Sequence, residues 1–382
     1  MNAAPPGFTL GIEEEYLLVD LKTRALAVDP PHAILDECKA LLEGHATTEF
    51  MRSQIEVETG VCTTIAEARK QLKHLRGTVI EVARNYGYAP IASSTHPFSK
   101  WSGQLHTDKE RYNKLAEDMQ EVGRRLVTCG MHVHVGIEDD DLRIDLMQQM
   151  TYFLPHLLVL STSSPFWEGD DTGLSSYRLA VFREMPRTGP PENFSSFAEF
   201  RRTVGVLVAA GIVEDGTKIW WDIRPSWRYP TLEMRITDIC PDLEEGIAIA
   251  ALYRCLLRML WRLRADNKRW RSYSPFLVAE NRWRAQRYGM EQGLIDFGRG
   301  EIVPYADLLE EMIDLVHDDA AHFGCLNEIA HLRTILERGT SAHRQRVAYA
   351  AALKQGAGHD EALRSVVDLI VAETAAGAEL PE

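Results

Sequence analysis

Three consecutive glutamates interrupt an apolar segment near the start of the chain. The segment Phe8 to Asp20 reads FTLGIEEEYLLVD, and its apolar residues predict a β-strand. Because side chains alternate along a strand, we expect Glu13 and Glu15 on one face and Glu14 on the other. Like charges on one face of a packed sheet need water or a cation to offset their repulsion. The segment therefore predicts either a solvated edge strand or a strand that supplies carboxylates to a metal site.

Two histidines lie two positions apart in a second predicted strand. The segment Thr128 to Ile137 reads TCGMHVHVGI, and its alternation places His132 and His134 on one face. Neutral imidazole is a common ligand of divalent metals, and two such rings can reach one metal or one phosphate. Two satisfied core histidines would give the same pattern, so this motif alone leaves both interpretations open.

A predicted hairpin over residues 219–238 carries paired acids and arginines. In its arms, IWWDIRPS and TLEMRITD, Asp222 shares a face with Arg224, and Glu233 shares a face with Arg235. The planar guanidinium suits the recognition of carboxylate or phosphate groups. Cross-strand ion pairs on a wet sheet face are the structural alternative, and each would contribute little stability.

A fourth acidic segment, Thr48 to Glu58, contains Glu49 and Glu56 and resembles a surface strand when taken alone. Together with the preceding motifs, it makes a set of ligands rich in carboxylate oxygen. Such a set favours Mg²⁺ or Mn²⁺ over zinc, which prefers nitrogen and sulfur. Carboxylate-bound Mg²⁺ with nearby arginines is typical of phosphoryl transfer. The chain has no GxxxxGK[ST] motif, so any ATP site is not a P-loop.

Charge and composition narrow the class of partner. The 382-residue chain has 42 basic and 56 acidic residues and a formal net charge of −14, which disfavours nucleic acid as a partner. Its six cysteines form no CxxC pair, as expected for reduced thiols in the cytoplasm. The start of the chain lacks a signal-peptide pattern, and the most apolar segment is too short to span a bilayer. We therefore expect a cytoplasmic protein without a membrane partner.

The order of predicted elements indicates an α+β fold. Weaker strand patterns occur at 50–58 and 89–93, and helical patterns occur at 64–86, 141–163, 196–213 and 243–264. Strands and helices do not alternate strictly, which favours a mixed or antiparallel sheet with helices packed on it. We expect one domain over residues 1–382, with a strand-rich core at 8–240 and a mostly helical portion at 241–382.

The ordered set GIEEEYLLVD, TCGMHVHVG and WDIRPS…TLEMRITD resembles the glutamate–cysteine ligase type 2 group of carboxylate–amine ligases. The resemblance implies a glutamine synthetase-like fold, in which an antiparallel sheet forms an active-site cavity. It also implies ATP and Mg²⁺ (or Mn²⁺) as cofactors, and glutamate and an amine or amino acid as small-molecule partners. A homodimer is a possible assembly.

The resemblance also implies roles for individual residues. Arg235 and Arg224 would face substrate or the transferred phosphate, and Arg235 and His134 are assigned to the ATP site. The metal ligands carried over by motif are Glu13, Glu15, Glu49, Glu56, His132 and Glu233. The Glu49 and Glu56 assignments rest on spacing more than on sequence identity.

The implied reaction activates the γ-carboxylate of glutamate with ATP as an acyl phosphate, which an amine such as cysteine then attacks. Weak activity with cysteine is compatible with the resemblance. A metal-dependent amidohydrolase is the alternative enzyme, because that class also carries HxH on a strand. The non-enzymatic alternative is a nucleotide-binding protein of the same fold that has lost catalytic activity.

Overall fold

The computed structural model describes residues 5–379. The initiating residues 1–4, on which the signal-peptide prediction partly rests, lie outside the described residues, as do residues 380–382. The strands, in chain order, are β1 (Leu10–Asp20), β2 (Ala46–Thr48), β3 (Gln54–Glu58), β4 (Tyr88–Ile91), β5 (Met131–Gly136), β6 (Phe166–Trp167), β7 (Asp170–Asp171), β8 (Thr188–Gly189), β9 (Trp220–Trp221), β10 (Ile223–Pro225), β11 (Thr231–Met234), β12 (Leu294–Asp296) and β13 (Glu301–Val303).

Helices make up most of the remaining regular structure. In chain order they are α1 (His32–Leu41), α2 (Ile65–Asn85), α3 (Glu110–Arg124), α4 (Asp140–Met150), α5 (Leu154–Ser161), α6 (Arg178–Phe182), α7 (Phe197–Ala209), α8 (Leu243–Ala265), α9 (Pro275–Tyr288), α10 (Tyr305–Leu315), α11 (His317–Phe323), α12 (Leu326–Arg338), α13 (Ser341–Lys354) and α14 (His359–Ala375).

Seven strands form one antiparallel sheet in the order β10-β11-β5-β1-β3-β2, and β4 pairs with the second half of β1. The prediction of an α+β fold built on an antiparallel sheet is confirmed. After residue 241 the chain is helical apart from the short hairpin of β12 and β13. The single-domain organisation stays a prediction, which thermal unfolding followed by two independent probes would test.

The pairing register determines which side chains share a face of the sheet. Glu13 lies opposite Glu58 on β3 and opposite His132 on β5, and Glu15 lies opposite Glu56. Directly opposed residues point to the same face, so these polar side chains converge there. The other face carries buried apolar residues of β1, β5 and β11, which pack against α2, α8 and α4, respectively.

Helix α2 shows why this packing forms. Thr64 caps its first turn through a reciprocal capping box with Glu67, which satisfies amide groups that the helix leaves free. The predicted apolar stripe is buried throughout, at Ile65, Ala68, Leu72, Leu75, Val79 and Val82. The helix therefore covers the apolar side of the sheet and leaves the polar side open.

The helix predicted over 141–163 is instead two helices, α4 and α5. Pro155 lies in the first turn of α5, where its missing amide hydrogen costs nothing. In the interior of one continuous helix the same proline would break a backbone hydrogen bond. Among all helices of the described chain, from residue 5 to residue 379, none is long and apolar enough to cross a membrane.

Candidate active site

A cleft of about 710 Å³ opens on the polar face of the sheet. This volume lies within the range of small-molecule sites. Strands β1, β3, β5, β10 and β11 line its floor, and the segments around Glu49, Tyr112 and Lys218 contribute walls. Every residue predicted for the site lines this cleft, namely Glu13, Glu15, Glu49, Glu56, His132, His134, Arg224, Glu233 and Arg235.

Five of the six predicted metal ligands fall into two groups, and His132 belongs to neither. In the first group, ligand atoms of Glu13, His134 and Glu233 all lie within 4.8 Å of one another. His134 Nε2 is 3.0 Å from Glu13 Oε1, and its Nδ1 is 2.8 Å from Thr231 Oγ1. His134, predicted to contact the nucleotide, is therefore placed among the first group of potential metal ligands.

Electrostatics keep the first group charged. Burial opposes ionisation of Glu13, but hydrogen bonds with His132 and His134 hold its pKa well below the usual range. Burial likewise opposes ionisation of Glu233, and the charges of Arg224 and Arg235 hold its pKa well below normal. Both carboxylates are therefore ionised at neutral pH, which is the state that binds a metal.

The second group consists of Glu15, Glu49 and Glu56, whose carboxylate oxygens also lie within 4.8 Å of one another. The Gly130 amide donates to Glu15 Oε2 at 2.7 Å. Burial and then the charge of Glu49 raise the pKa of Glu15 to about 8. Burial and then Glu49 also raise the pKa of Glu56 well above normal. Repulsion among three carboxylates indicates a position where a cation would be strongly stabilised.

His132 lies between the two groups. Its Nδ1 is 3.0 Å from Glu13 Oε2, while its Nε2 lies 3.9 Å from Glu15 Oε1. Nε2 is buried and has no hydrogen-bond partner within residues 5–379. Burial and then the charge of Arg235 lower the pKa of His132 to about 4, so the ring is neutral at pH 7. With its hydrogen on Nδ1, the ring presents a bare Nε2 lone pair towards Glu15, which fits a bound divalent cation.

The two predicted arginines both contact Glu233. Arg224 donates to it through Nε at 2.8 Å, and its Nη1 donates to the carbonyls of Thr217 and Ile219. Arg235 also donates to Glu233, but its buried Nε has no partner in the described chain. Arg224 is thus committed to protein acceptors and holds Glu233 in position. Arg235 is the better placed of the two to meet a ligand.

Two outcomes differ from the expected pattern of charges. Asp222 does not line the cleft, because its carboxylate binds the Arg282 side chain of α9 at 2.6 and 3.0 Å. Arg178, by contrast, lines the cleft and was not identified from the sequence. The only signal was a single arginine in the otherwise apolar α6 segment RLAVF, which has no spacing relationship to the other motifs.

Comparison with known proteins places this site in a family. The family model described as glutamate–cysteine ligase family 2 matches residues 9–368. A protein of Rhodospirillum rubrum that bears the name "Putative glutamate–cysteine ligase 2" is 61% identical over 375 residues, which cover 97% of this chain and 96% of that protein. A protein of the same name from Jannaschia sp. is 55% identical, with 94% and 95% covered.

Solved structures share the fold at low sequence identity. Glutamate–cysteine ligase from Francisella tularensis, in complex with AMP, aligns with a TM-score of 0.67 at 14% identity, over 98% of this chain and 90% of that chain. A bifunctional glutathione synthetase from Pasteurella multocida aligns with a TM-score of 0.68 at 13% identity, over 96% of this chain and 52% of that chain. The match of the family model and the close relatives establish that this chain belongs to glutamate–cysteine ligase family 2, a family of ligases that form carbon–nitrogen bonds.

Proposed function

We propose that this enzyme uses ATP to activate the γ-carboxylate of glutamate as an acyl phosphate, which an amine then converts to an amide. The observation that carries the proposal is the convergence of two three-ligand groups and the partly buried Arg235 on one face of the sheet. This arrangement combines sites for hard cations with guanidinium donors. A cleft that must hold polyphosphate beside a carboxylate requires both.

Divalent cations fit both groups by ligand chemistry. The first offers two carboxylates and one imidazole, and the second offers three carboxylates, with the bare His132 Nε2 between them. Oxygen-rich sets of this kind suit Mg²⁺ or Mn²⁺. Bound cations would supply positive charge that offsets the negative charge of the ATP phosphates. The chain's own contribution is to keep Glu13 and Glu233 ionised and correctly oriented.

The proposed reaction proceeds in two steps. A γ-carboxylate oxygen of glutamate attacks the terminal phosphorus of ATP, and the bond to the bridging oxygen breaks, which releases ADP. The amine nitrogen then attacks the acyl carbon, the acyl carbon–oxygen bond breaks, and inorganic phosphate leaves as the amine loses a proton. The protein mainly positions the reactants and stabilises charge, and the Arg235 guanidinium, which lines the cleft, is suited to an oxygen of the transferred phosphoryl group.

The names of the related proteins support the proposed substrates. The Rhodospirillum rubrum and Jannaschia proteins carry glutamate and cysteine in their names, and the Francisella tularensis ligase was solved with AMP. On that basis we take glutamate, an amine such as cysteine, and ATP as the substrates of this chain.

Heavy-oxygen labelling tests the acyl phosphate directly. Glutamate labelled in its γ-carboxylate is incubated with ATP, Mg²⁺ and a panel of amines, and the released phosphate is analysed by mass spectrometry. One labelled oxygen should appear in inorganic phosphate for each amide formed. Amide formation with unlabelled phosphate would disprove the acyl phosphate intermediate. If no acid and amine pair leads to ADP release, the proposed ligase activity itself would be disproved.

The two alternative functions predict different outcomes of the same assay. An amidohydrolase would hydrolyse amides without nucleotide, but the wholly antiparallel sheet and the family assignment give it no support. A nucleotide-binding protein without turnover would bind ATP and release no ADP. The retention of both ligand groups and of Arg235 favours an active enzyme.

A further inference from the structure

Thr231, the first residue of β11, places its side-chain hydroxyl against the imidazole ring of His134. The Nδ1 atom of His134 is 2.8 Å from Thr231 Oγ1, and the Nε2 atom is 3.0 Å from Glu13 Oε1. Nε2 therefore faces the first group of potential metal ligands, and Nδ1 faces the hydroxyl. Because both ring nitrogens have a partner, the two hydrogen bonds together fix the orientation of the ring.

The pairing of β11 with β5 explains where this hydroxyl lies. Glu233 is directly opposite His134, and Thr231 is opposite Gly136. Residues two apart on a strand share a face, so Thr231 and Glu233 both lie beside the imidazole on the cleft side of the sheet. The Thr231 carbonyl oxygen accepts from the Ser226 amide at 2.9 Å, which closes the turn between β10 and β11. The backbone that carries the hydroxyl is thus held by the sheet.

Two other neighbours of the ring restrain it less than the hydroxyl does. Gly11 lies directly opposite His134 on β1 and has no side chain to pack against the ring. The Tyr229 ring meets the imidazole edge to face, with 6.4 Å between the ring centres, but Tyr229 is 57% exposed. When Nε2 binds a cation, its hydrogen bond with Glu13 is given up. The bond between Nδ1 and Thr231 is then the one that keeps the ring in place.

The other histidine of the HxH motif is held differently. The Nδ1 atom of His132 lies against Glu13, which is itself a predicted metal ligand, and its Nε2 has no partner in the described part of the chain. A histidine that binds a metal through one nitrogen usually donates the hydrogen of the other nitrogen to a fixed oxygen, which sets its tautomer and orientation. Thr231 supplies such an oxygen to His134 from outside both ligand groups.

We propose that Thr231 is a positioning residue, whose hydroxyl holds the His134 imidazole so that Nε2 faces a divalent cation bound by Glu13 and Glu233. The inference rests on the proposed function, because it supposes that the first group binds a cation. Thr231 does not touch the cation. It accepts the Nδ1 hydrogen of His134, which leaves the Nε2 lone pair free for the metal.

Titration with Mn²⁺ tests this role without nucleotide and without turnover. Free Mn²⁺ gives an electron paramagnetic resonance signal that is lost on binding, so the affinity of each class of site can be measured. Thr231→Val keeps the shape of the side chain but loses the hydroxyl, and it should weaken one class of Mn²⁺ site about tenfold to a hundredfold. Thr231→Ser keeps a hydroxyl and should restore most of that affinity. The other class of site, assigned to Glu15, Glu49 and Glu56, should be unchanged.

A double-mutant cycle shows whether Thr231 acts through His134. His134→Asn removes the imidazole ligand, so the addition of Thr231→Val should cause little further loss of Mn²⁺ affinity. Thr188→Val is the matched control. It removes a threonine hydroxyl of similar partial burial, which donates to the Met185 carbonyl oxygen at 2.8 Å, and Thr188 does not line the cleft. This control should bind Mn²⁺ as the wild type does.

The possible results separate this inference from the proposed function. Wild-type Mn²⁺ affinity in Thr231→Val, additive losses in the cycle, or no recovery in Thr231→Ser would overturn the role of Thr231 alone. Equal weakening of both classes of site, or the same weakening in Thr188→Val, would also overturn it, because the effect would then come from the fold as a whole. A wild type that binds no Mn²⁺ would contradict the cation sites of the proposed function, and the role of Thr231 would be overturned with them.

Discussion

Arg76 of α2 binds Glu14 of β1 at 2.8 Å, on the side of the strand that faces away from the cleft. Both side chains are almost fully buried, and the Arg76 guanidinium also lies 5.7 Å from the centre of the Tyr16 ring. Glu14 is the middle residue of the glutamate triplet. The pair therefore anchors β1 to the helix layer while the neighbours Glu13 and Glu15 point into the cleft.

Breaking this pair should strongly destabilise the protein. Arg76→Met leaves the Glu14 charge buried and unpaired, which is expected to cost about 3–5 kcal/mol in free energy of unfolding. The double variant Glu14→Leu/Arg76→Met should be less destabilised than the sum of the two single changes, because it removes both charges. Urea denaturation measures these values. Additive single losses would show that the two residues act independently.

Removing a metal-binding charge should weaken nucleotide binding without unfolding the chain. Glu13→Gln or Glu233→Gln keeps the side-chain shape but loses the charge that a hard cation requires. We expect affinity for Mg²⁺–ATP to fall at least about tenfold, as measured by calorimetry. Glu117→Gln, on the exposed side of α3, is the control that should retain wild-type affinity. Unchanged affinity for Mg²⁺–ATP in both cleft variants would show that Glu13 and Glu233 are not metal ligands.

The two arginines that contact Glu233 should respond differently to substitution by lysine. Arg235→Lys keeps a positive charge beside Glu233 but loses the planar fork, so turnover should fall about a hundredfold or more with a small change in stability. Arg224→Lys loses hydrogen bonds to the Thr217 and Ile219 carbonyls, so it should lower thermal stability as well. Steady-state kinetics and thermal unfolding measure the two effects. Equal behaviour of the variants would contradict the distinction drawn from their contacts.

Stability should depend on pH through His96, which lies outside the cleft. Its Nδ1 accepts from the amides of Phe98 and Ser99, and its Nε2 donates to the Arg24 carbonyl oxygen, so the ring is held neutral. Burial lowers the pKa of His96 from 6.5 to about 4. Because the pKa of His96 is lower in the folded state than in the unfolded state, neutral His96 contributes to the free energy of unfolding, and this contribution is fully present above pH 6.5. As the pH falls towards 4 it is lost, and it amounts to about 3 kcal/mol.

The variant His96→Asn tests this assignment. The asparagine side chain can still accept a hydrogen bond from the Phe98 or Ser99 amide but does not titrate. Unfolding free energies measured between pH 7 and pH 4 should therefore fall less steeply in the variant than in the wild type. The slope should not vanish, because burial lowers the pKa of His132 and His156 as well. Parallel curves for the two proteins would contradict the role of His96.

Several features of the fold and of the site could be predicted because they depend on local geometry. Alternation along a strand separates Glu13 and Glu15 from Glu14, and it places His132 with His134, whatever the rest of the chain does. The apolar stripe of α2 follows from helical periodicity in the same way. The boundary between α4 and α5 was missed because the prediction did not end the first helix before Pro155.

The sequence by itself determined the polar face of β1 and β5, the family and nine of the residues that line the cleft. Only the tertiary structure decided that the metal ligands form two groups, that Arg224 is committed to Glu233, and that Asp222 is paired with Arg282. It also brought Arg178 into the site. These relationships depend on strand register and helix packing between segments far apart in the chain. No periodicity within a segment encodes such contacts, because they are set by how complete surfaces pack together.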